Sequence, residues 1–175
     1  CMLRGAHVTL VNASVSVEPP MFVDVVNVTS AADMADVVKS KAAEQDIIIM
    51  TAAVADFCPS HPADEKIKKN DSSYESVIEL ERTEDILSYL GAHKAKGQLI
   101  CGFSMETQNM LENSKAKLAK KNADMIVANN LKVAGAGFGT DTNVVTLITA
   151  DDCTELEIMD KSCVAARIMD RLLKM

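Results

Sequence analysis

Apolar and polar positions along the chain repeat with two different periods. AHVTLV (6–11) and MFVDVVNV (21–28) are short apolar, β-branched runs, and each predicts a strand. NASVSVEPP between them predicts a loop. The period then becomes helical in TSAADMADVVKSKAAEQ (29–45). Met34, Val37, Val38 and Ala42 share one face there, and Thr29 or Ser30 is placed to cap the helix. DIIIMTAAVA (46–55) is apolar throughout, as expected of a strand in the middle of a parallel sheet covered on both faces. A polar loop with Pro59 and Pro62 follows, and SVIELERT (76–83) alternates like a half-buried strand. EDILSYLGAHK (84–94) predicts a helix, QLICGFSME (98–106) a buried strand, NMLENSKAKLAKKN (109–122) a helix and ADMIVANN (123–130) a strand with a polar end. LKVAGAGFGTDTN (131–143) is a glycine-bearing loop. VVTLITAD (144–151) and TELEIMD (154–160) form a hairpin around Asp151–Cys153, and KSCVAARIMDRLLKM (161–175) closes the chain as a helix.

Strands alternate with helices, which predicts an α/β fold: Rossmann-like, with a mostly parallel sheet flanked by helices and a C-terminal antiparallel hairpin. Residues 1–175 carry no internal repeat and no linker, so one domain is expected. MLRGA reads as a helix ending at Gly5 before a strand. A chain that opens on the end of a helix predicts a missing beginning. In such sheets ligands sit at the carboxyl ends of the strands. TAAVAD, GFSMET and VANN all turn small or polar at that edge.

Composition narrows the function. Hydrophobic residues make up 48% and charged residues 25%, enough apolar content for a sizeable core. A formal charge of −7 argues against a nucleic-acid partner bound by broad charge, yet leaves room for a local basic pocket. The longest apolar run is far short of a membrane span, so no membrane partner is expected. The five cysteines (Cys1, Cys58, Cys101, Cys153 and Cys163) are odd in number and contain no C-x-x-C pair. That disfavours zinc and a disulfide framework and suits a reducing cytoplasm. His7, His61 and His93 form no pattern that would activate a cysteine nucleophile.

Three constellations bear chemistry, and each also has a plain structural reading. Ala52, Ala53 and Ala55 leave the main chain bare for a flat ligand, with Asp56 facing a ribose, a base amino group or a metal. Equally, small residues permit tight packing and Asp56 caps a turn. Lys66, Lys68 and Lys69 suit phosphate on a mobile loop, or form a solvated basic patch. Among Lys115, Lys117, Lys120 and Lys121, the pair Lys117 and Lys121 shares a helix face. Two ammoniums there repel unless an anion lies between them, or the face is an ordinary exposed one. Phe103 stacks on a base or belongs to the core. The GAGFG run with Phe138 is followed by a strand rather than a helix, so it is no dinucleotide fingerprint.

In order along nearly the whole chain stand RGAHVTLV, PP-FV, AAVADF-P, EKIKK, ED-IL, GFSMET, KLAKKNAD-IVAN and GFGTDTN-VTLI. Together they resemble the phosphopantothenate–cysteine ligase family, also called phosphopantothenoylcysteine synthetase. The resemblance implies ligation of 4′-phosphopantothenate with L-cysteine. CTP activates the carboxylate as an acyl-cytidylate, pyrophosphate leaves, and the amine of cysteine displaces CMP. It implies Mg2+ on the triphosphate, a homodimer with its site near the interface, and frequent fusion behind a flavin-dependent decarboxylase. Carried over by position, the nucleotide contacts are Met50, Thr51, Ala52, Asp56, Glu84, Asp85, Ile86, Leu87, Phe103, Lys117 and Lys121. Lys66 helps to form the acyl-cytidylate. Glu84 to Leu87 come from the resemblance alone, although a helix N-terminus there also offers N–H groups to an anion. The family usually opens with a Gly- and Ser-rich segment bearing an asparagine for the second half-reaction. That segment, about 30 residues with its strand, precedes the first strand seen here. Arg is common in the family where Cys58 stands, and Asp where Asn130 stands. Two other readings remain: a nicotinamide-binding oxidoreductase on a similar sheet, which leaves the lysines unexplained, and a non-catalytic nucleotide-binding remnant.

Overall fold

A computed structural model describes residues 1–13, 15, 17–63, 65–66, 77–106, 109–130, 133, 137 and 139–175. Lys68, Lys69, Phe138 and the start of the 76–83 segment lie outside the described residues. A 3₁₀ turn, Met2–Arg4, ends at Gly5, whose φ of 83° is a left-handed conformation that glycine adopts without strain. Then come β1 (Thr9–Asn12), β2 (Asp24–Asn27), α1 (Ala31–Ala42), β3 (Ile47–Met50), β4 (Phe57–Pro59), β5 (Leu80–Arg82), α2 (Ile86–Ala92) and β6 (Leu99–Glu106). They are followed by α3 (Met110–Lys120), β7 (Met125–Asn130), β8 (Thr142–Asn143), β9 (Val145–Ile148), β10 (Cys153–Glu155), β11 (Met159–Asp160) and α4 (Lys161–Leu172).

The α/β fold is as expected. The central sheet has the order β10-β9-β7-β6-β3. β3, β6 and β7 pair in parallel, while β9 and β10 add the expected antiparallel hairpin, with Cys153 opposite Ile148. β1 and β2 form a separate parallel pair. α1 starts where the sequence places it, because Ser30 Oγ accepts from the Asp33 amide at 3.0 Å and Asp33 Oδ2 accepts from the Ser30 amide, a capping box.

Side-chain alternation on β6 sorts the core into two layers. Cys101, Met125, Val127, Val145 and Leu147 face Val164, Ile168, Met169 and Leu172 of α4. Ile48 and Ile100 face the other way, against Met34, Ala35 and Val38 of α1 and Ile86 and Leu90 of α2. Each fully buried aliphatic side chain contributes roughly 2 kcal/mol.

Three expectations fail. The 46–55 strand was expected at the centre of the sheet, but strand geometry ends at Met50 and β3 stands at the sheet's edge. Beyond it the chain turns away to form β4, which pairs antiparallel with β5 in a ribbon of its own. The loop assigned around Pro59 is therefore partly strand. Pro59 is tolerated because this is a two-stranded edge. The 76–83 segment is expected to form one short alternating strand, yet among the described residues β5 is only Leu80–Arg82, with all three residues exposed.

α2 and α3 meet end to end. A Cβ on Gly91 would lie 1.8 Å from the Lys121 carbonyl oxygen, and Asn122 Nδ2 donates to the Gly91 carbonyl at 2.7 Å. Gly91→Ala is expected to lower stability by about 3 kcal/mol, because backbone rather than a side-chain tip must give way. Urea denaturation followed by circular dichroism checks this.

Candidate functional site

Parallel pairing brings the carboxyl ends of β3 and β6 to one edge, with Met50 opposite Gly102. Gly102 is bare for a reason: a Cβ there would lie 2.7 Å from Leu87 Cδ2 and 3.1 Å from Ile126 Cδ1. The first turn of α2 therefore sits directly over the middle of β6, level with the end of β3. Between that turn, the chain leaving β3 and the far end of α3 lies a cleft of ≈ 240 Å³. It is lined by Met50, Ala52, Asp56, Glu84, Asp85, Ile86, Leu87, Phe103, Lys117 and Lys121, all singled out from the sequence, and by Val54, Ala55 and Thr83.

Each wall has a local cause. Ala52, Ala53 and Ala55 carry no side-chain bulk and, like Asp56, are exposed, so main chain is accessible there. Thr83 anchors this stretch: its amide donates to the Asp56 carbonyl at 3.0 Å, and its hydroxyl donates to the Ala55 carbonyl. Sequence reasoning missed Thr83. Its role depends on the β4–β5 pairing, which leaves no periodic signal.

The α3 lysines divide as helical geometry dictates. Lys115 and Lys120 are exposed, whereas Lys117 and Lys121 are half-buried and turn toward the cleft. Lys117 Nζ donates to the Phe103 carbonyl at 2.9 Å. Lys121 Nζ is ion-paired with Asp85 and donates to Ser88 Oγ at 3.0 Å. Each ammonium has its own acceptor, so no anion is needed between the two to relieve their repulsion.

The acidic wall also has internal partners. Asp85 caps α2 by accepting from the Ser88 amide at 3.0 Å. One N–H expected to be free for an anion is therefore already taken. Glu84 accepts from Lys39 of α1 at 2.7 Å. Burial alone would push the Asp85 carboxyl up, but the Lys121 ammonium and the Ser88 N–H outweigh it and hold it below the usual carboxylate range. Phe103 borders the cleft while packing, partly buried, against the cluster beneath α4. Thr51 lies just outside the cleft lining, on the β1 side of β3, and Lys66 is exposed and does not line the cleft.

Cysteine chemistry finds no support at this edge. Burial, with the Asp124 charge nearby, pushes the Cys101 thiol up to about 12, so it stays protonated inside the core. Cys58 Sγ stands 4.0 Å from Glu81 Oε1 on the β4–β5 ribbon. Among the described residues no group of three or more His, Cys, Asp or Glu could hold a metal ion. No helix among them is long and apolar enough to cross a membrane.

The family model for the DNA/pantothenate metabolism flavoprotein C-terminal domain matches residues 1–175. The chain belongs to that family. It is 45% identical over 170 residues to the coenzyme A biosynthesis bifunctional protein CoaBC of Bacillus subtilis (strain 168), covering 96% of this chain and 41% of that protein. It is 44% identical over 171 residues to a cysteine/cysteine sulfinic acid decarboxylase of an unknown prokaryotic organism, covering 97% and 47%. The chain spans less than half the length of these curated relatives. Among solved structures, the C-terminal domain of a CoaBC protein superposes with a TM-score of 0.81 at 40% identity, over 99% of this chain and 78% of that one. The fold and the family resemblance read from the sequence are both met.

The Asp85–Lys121 pair has a pH signature. A carboxyl whose folded value lies below its unfolded value, about 3.9, stabilises the fold above that pH. The stabilisation is lost as pH falls through the folded value. Asp85→Asn keeps a capping oxygen but removes the charge. Its urea midpoint is expected to fall less steeply between pH 5 and pH 2 than that of the unsubstituted chain, with the two measured in parallel.

Proposed function

We propose that residues 1–175 form the nucleotide-binding ligase domain of a cytoplasmic phosphopantothenate–cysteine ligase. The reaction joins 4′-phosphopantothenate to L-cysteine through an acyl-cytidylate made from CTP. The observation that carries this reading is the convergence of ten residues, separated by up to 71 positions between Met50 and Lys121, on one cleft at the carboxyl ends of β3 and β6. The 45%-identical coenzyme A biosynthesis protein supports the pathway.

In this reading each part of the cleft has one task. The bare main chain at Ala52 and Ala55 recognises the flat cytosine, where a methyl group is the most that stands in its way. Asp56 takes a ribose hydroxyl or the base amino group. Lys117 and Lys121 hold the triphosphate as point charges, and Lys121 exchanges its Asp85 contact for phosphate. Lys66 swings in from its exposed position and stabilises the charge that develops as the carboxylate attacks the α-phosphate, the bond to the β-phosphate breaks and pyrophosphate leaves with its electron pair. The cysteine nitrogen then attacks the acyl carbon and CMP departs with the electron pair. Mg2+ would come as the counter-ion of the CTP phosphates, where magnesium commonly keeps substrate phosphate and water as ligands.

The exposed apolar side chains Phe57, Val77, Ile78 and Leu80 on and beside the β4–β5 ribbon support a homodimer that covers this ribbon. A flavin-dependent decarboxylase domain is proposed elsewhere in the same polypeptide. A second reading is favoured by the relative named for cysteine/cysteine sulfinic acid decarboxylation at 44% identity: the domain then serves a protein that releases CO2 from cysteine.

Titration calorimetry with CTP, ATP and NADPH, each with Mg2+, tests the nucleotide. CTP is expected to bind, and Lys117→Ala and Asp56→Ala each to weaken it about tenfold, the loss expected of one hydrogen bond to a charged group. NADPH binding without a CTP response would overturn the reading. In the longer protein, Lys66→Ala is expected to slow pyrophosphate release from CTP and 4′-phosphopantothenate at least tenfold. CO2 release from cysteine, without pyrophosphate, would favour the decarboxylase.

A further inference from the structure

The wall of the cleft between β3 and β4 is held at few points. β3 pairs with β6 only as far as Met50, and β4 pairs with β5 only from Phe57. Among the described residues, residues 51–56 between them make two hydrogen bonds, and Thr83 donates both. Its amide meets the Asp56 carbonyl at 3.0 Å, and its hydroxyl meets the Ala55 carbonyl. Packing adds little more. Val54 packs, partly buried, against the core layer of α1 and α2, while its neighbours Ala53, Ala55 and Asp56 are exposed.

The two bonds differ in kind. The ribbon register pairs Phe57 with Arg82, so Asp56 stands opposite Thr83. The amide bond is thus the last rung of the ladder, and any residue except proline at this position supplies it. The hydroxyl bond belongs to the side chain. It carries the restraint one residue past the last rung, to Ala55, where the chain has left the ladder. A β-branched side chain has few χ1 states, so the hydroxyl stays aimed. Thr83 also stands where three parts of the site meet. It follows β5 directly, lies two positions before Asp85, the N-cap of α2, and is half-buried in the lining of the cleft. The connection from β4 to β5 carries Lys66.

We propose that Thr83 is a positioning residue of the cleft: its hydroxyl fixes the Ala55–Asp56 main chain for the nucleotide and couples that wall to the ribbon bearing Lys66. The inference rests on the nucleotide reading above. Thr83 acts through Ala55 and Asp56 rather than on the ligand itself. Without the hydroxyl, the carbonyl of the exposed Ala55 takes a water instead, so the fold loses little. The wall loses its preorganisation, and the cost of ordering it falls on binding.

Two kinds of variant test this. Thr83→Val keeps the shape and the amide rung but removes the hydroxyl, whereas Thr83→Ser keeps the hydroxyl. Backbone amide relaxation is expected to give order parameters at Ala55 and Asp56 of about 0.85 in the unsubstituted chain and in Thr83→Ser, and below about 0.6 in Thr83→Val. Titration calorimetry with CTP and Mg2+ is expected to show affinity about tenfold weaker in Thr83→Val and within about twofold of the unsubstituted chain in Thr83→Ser, with similar urea midpoints. Thr83→Ala, which also lacks the hydroxyl, is expected to match Thr83→Val. Unchanged order in Thr83→Val, or an equal fall in Thr83→Ser, would overturn the proposal. So would a lowered order or urea midpoint with CTP affinity intact, which marks a structural role. The order parameters need no ligand. If the unsubstituted chain binds no nucleotide and the wall still loosens only in the variants without a hydroxyl, the nucleotide reading fails and the clamp on the wall stands.

Discussion

The parallel register of β3, β6 and β7 is the constraint on which the rest depends. It sets Met50, the last residue of β3, beside Gly102 and Gly102 beside Ile126, and carries β6 and β7 four residues past the end of β3 to Glu106 and Asn130. A slip of one residue would exchange the two faces of β6, driving Ile100 toward α4 and Cys101 toward α1. Both layers of the core oppose that slip. The same register leaves Gly102 under Leu87, and through α2 it places Asp85 within reach of Lys121.

The cleft is preorganised by internal partners. Lys121 lies on Asp85 and Ser88, Lys117 on the Phe103 carbonyl, and Glu84 on Lys39. Each cation thus keeps its place without a ligand. Under the proposed function, an arriving triphosphate would exchange a carboxylate for a phosphate at Lys121 rather than order a free side chain, which would limit the entropy lost on binding. Thr83 performs the matching task on the opposite wall, where it fixes the main chain at Ala55 and Asp56.

Most of this was legible in the sequence because it is local. The Ser30 cap, the apolar stripe of α1 and the buried run at Ile100 each carry their own periodicity. The carboxyl-edge rule pointed to Asp56 and Phe103, and helical spacing pointed to the Lys117/Lys121 pair. What was not legible is what depends on pairing across the chain. Nothing near Phe57 announces that it will pair with Arg82, so the β4–β5 ribbon and the part played by Thr83 went unseen. The apolar content of residues 46–55 suggested a central strand, but hydrophobicity does not say on which side a neighbour stands. β3 is an edge in this chain, and its apolar outer side borders a slot beside β1. Asp85 was found through the resemblance, yet its bond to Lys121 spans 36 positions and leaves no spacing signature.

The central claim is that the cleft between the β3 exit, α2 and α3 is where CTP binds. Amide chemical-shift mapping on a uniformly labelled chain, titrated with Mg2+ and CTP, tests it most directly. The expected result is a set of saturating shifts at Ala52 to Asp56, Leu87, Phe103 and around Lys117 and Lys121, with the α4 face unchanged. Saturating shifts confined to another surface, or none at millimolar CTP, would contradict it.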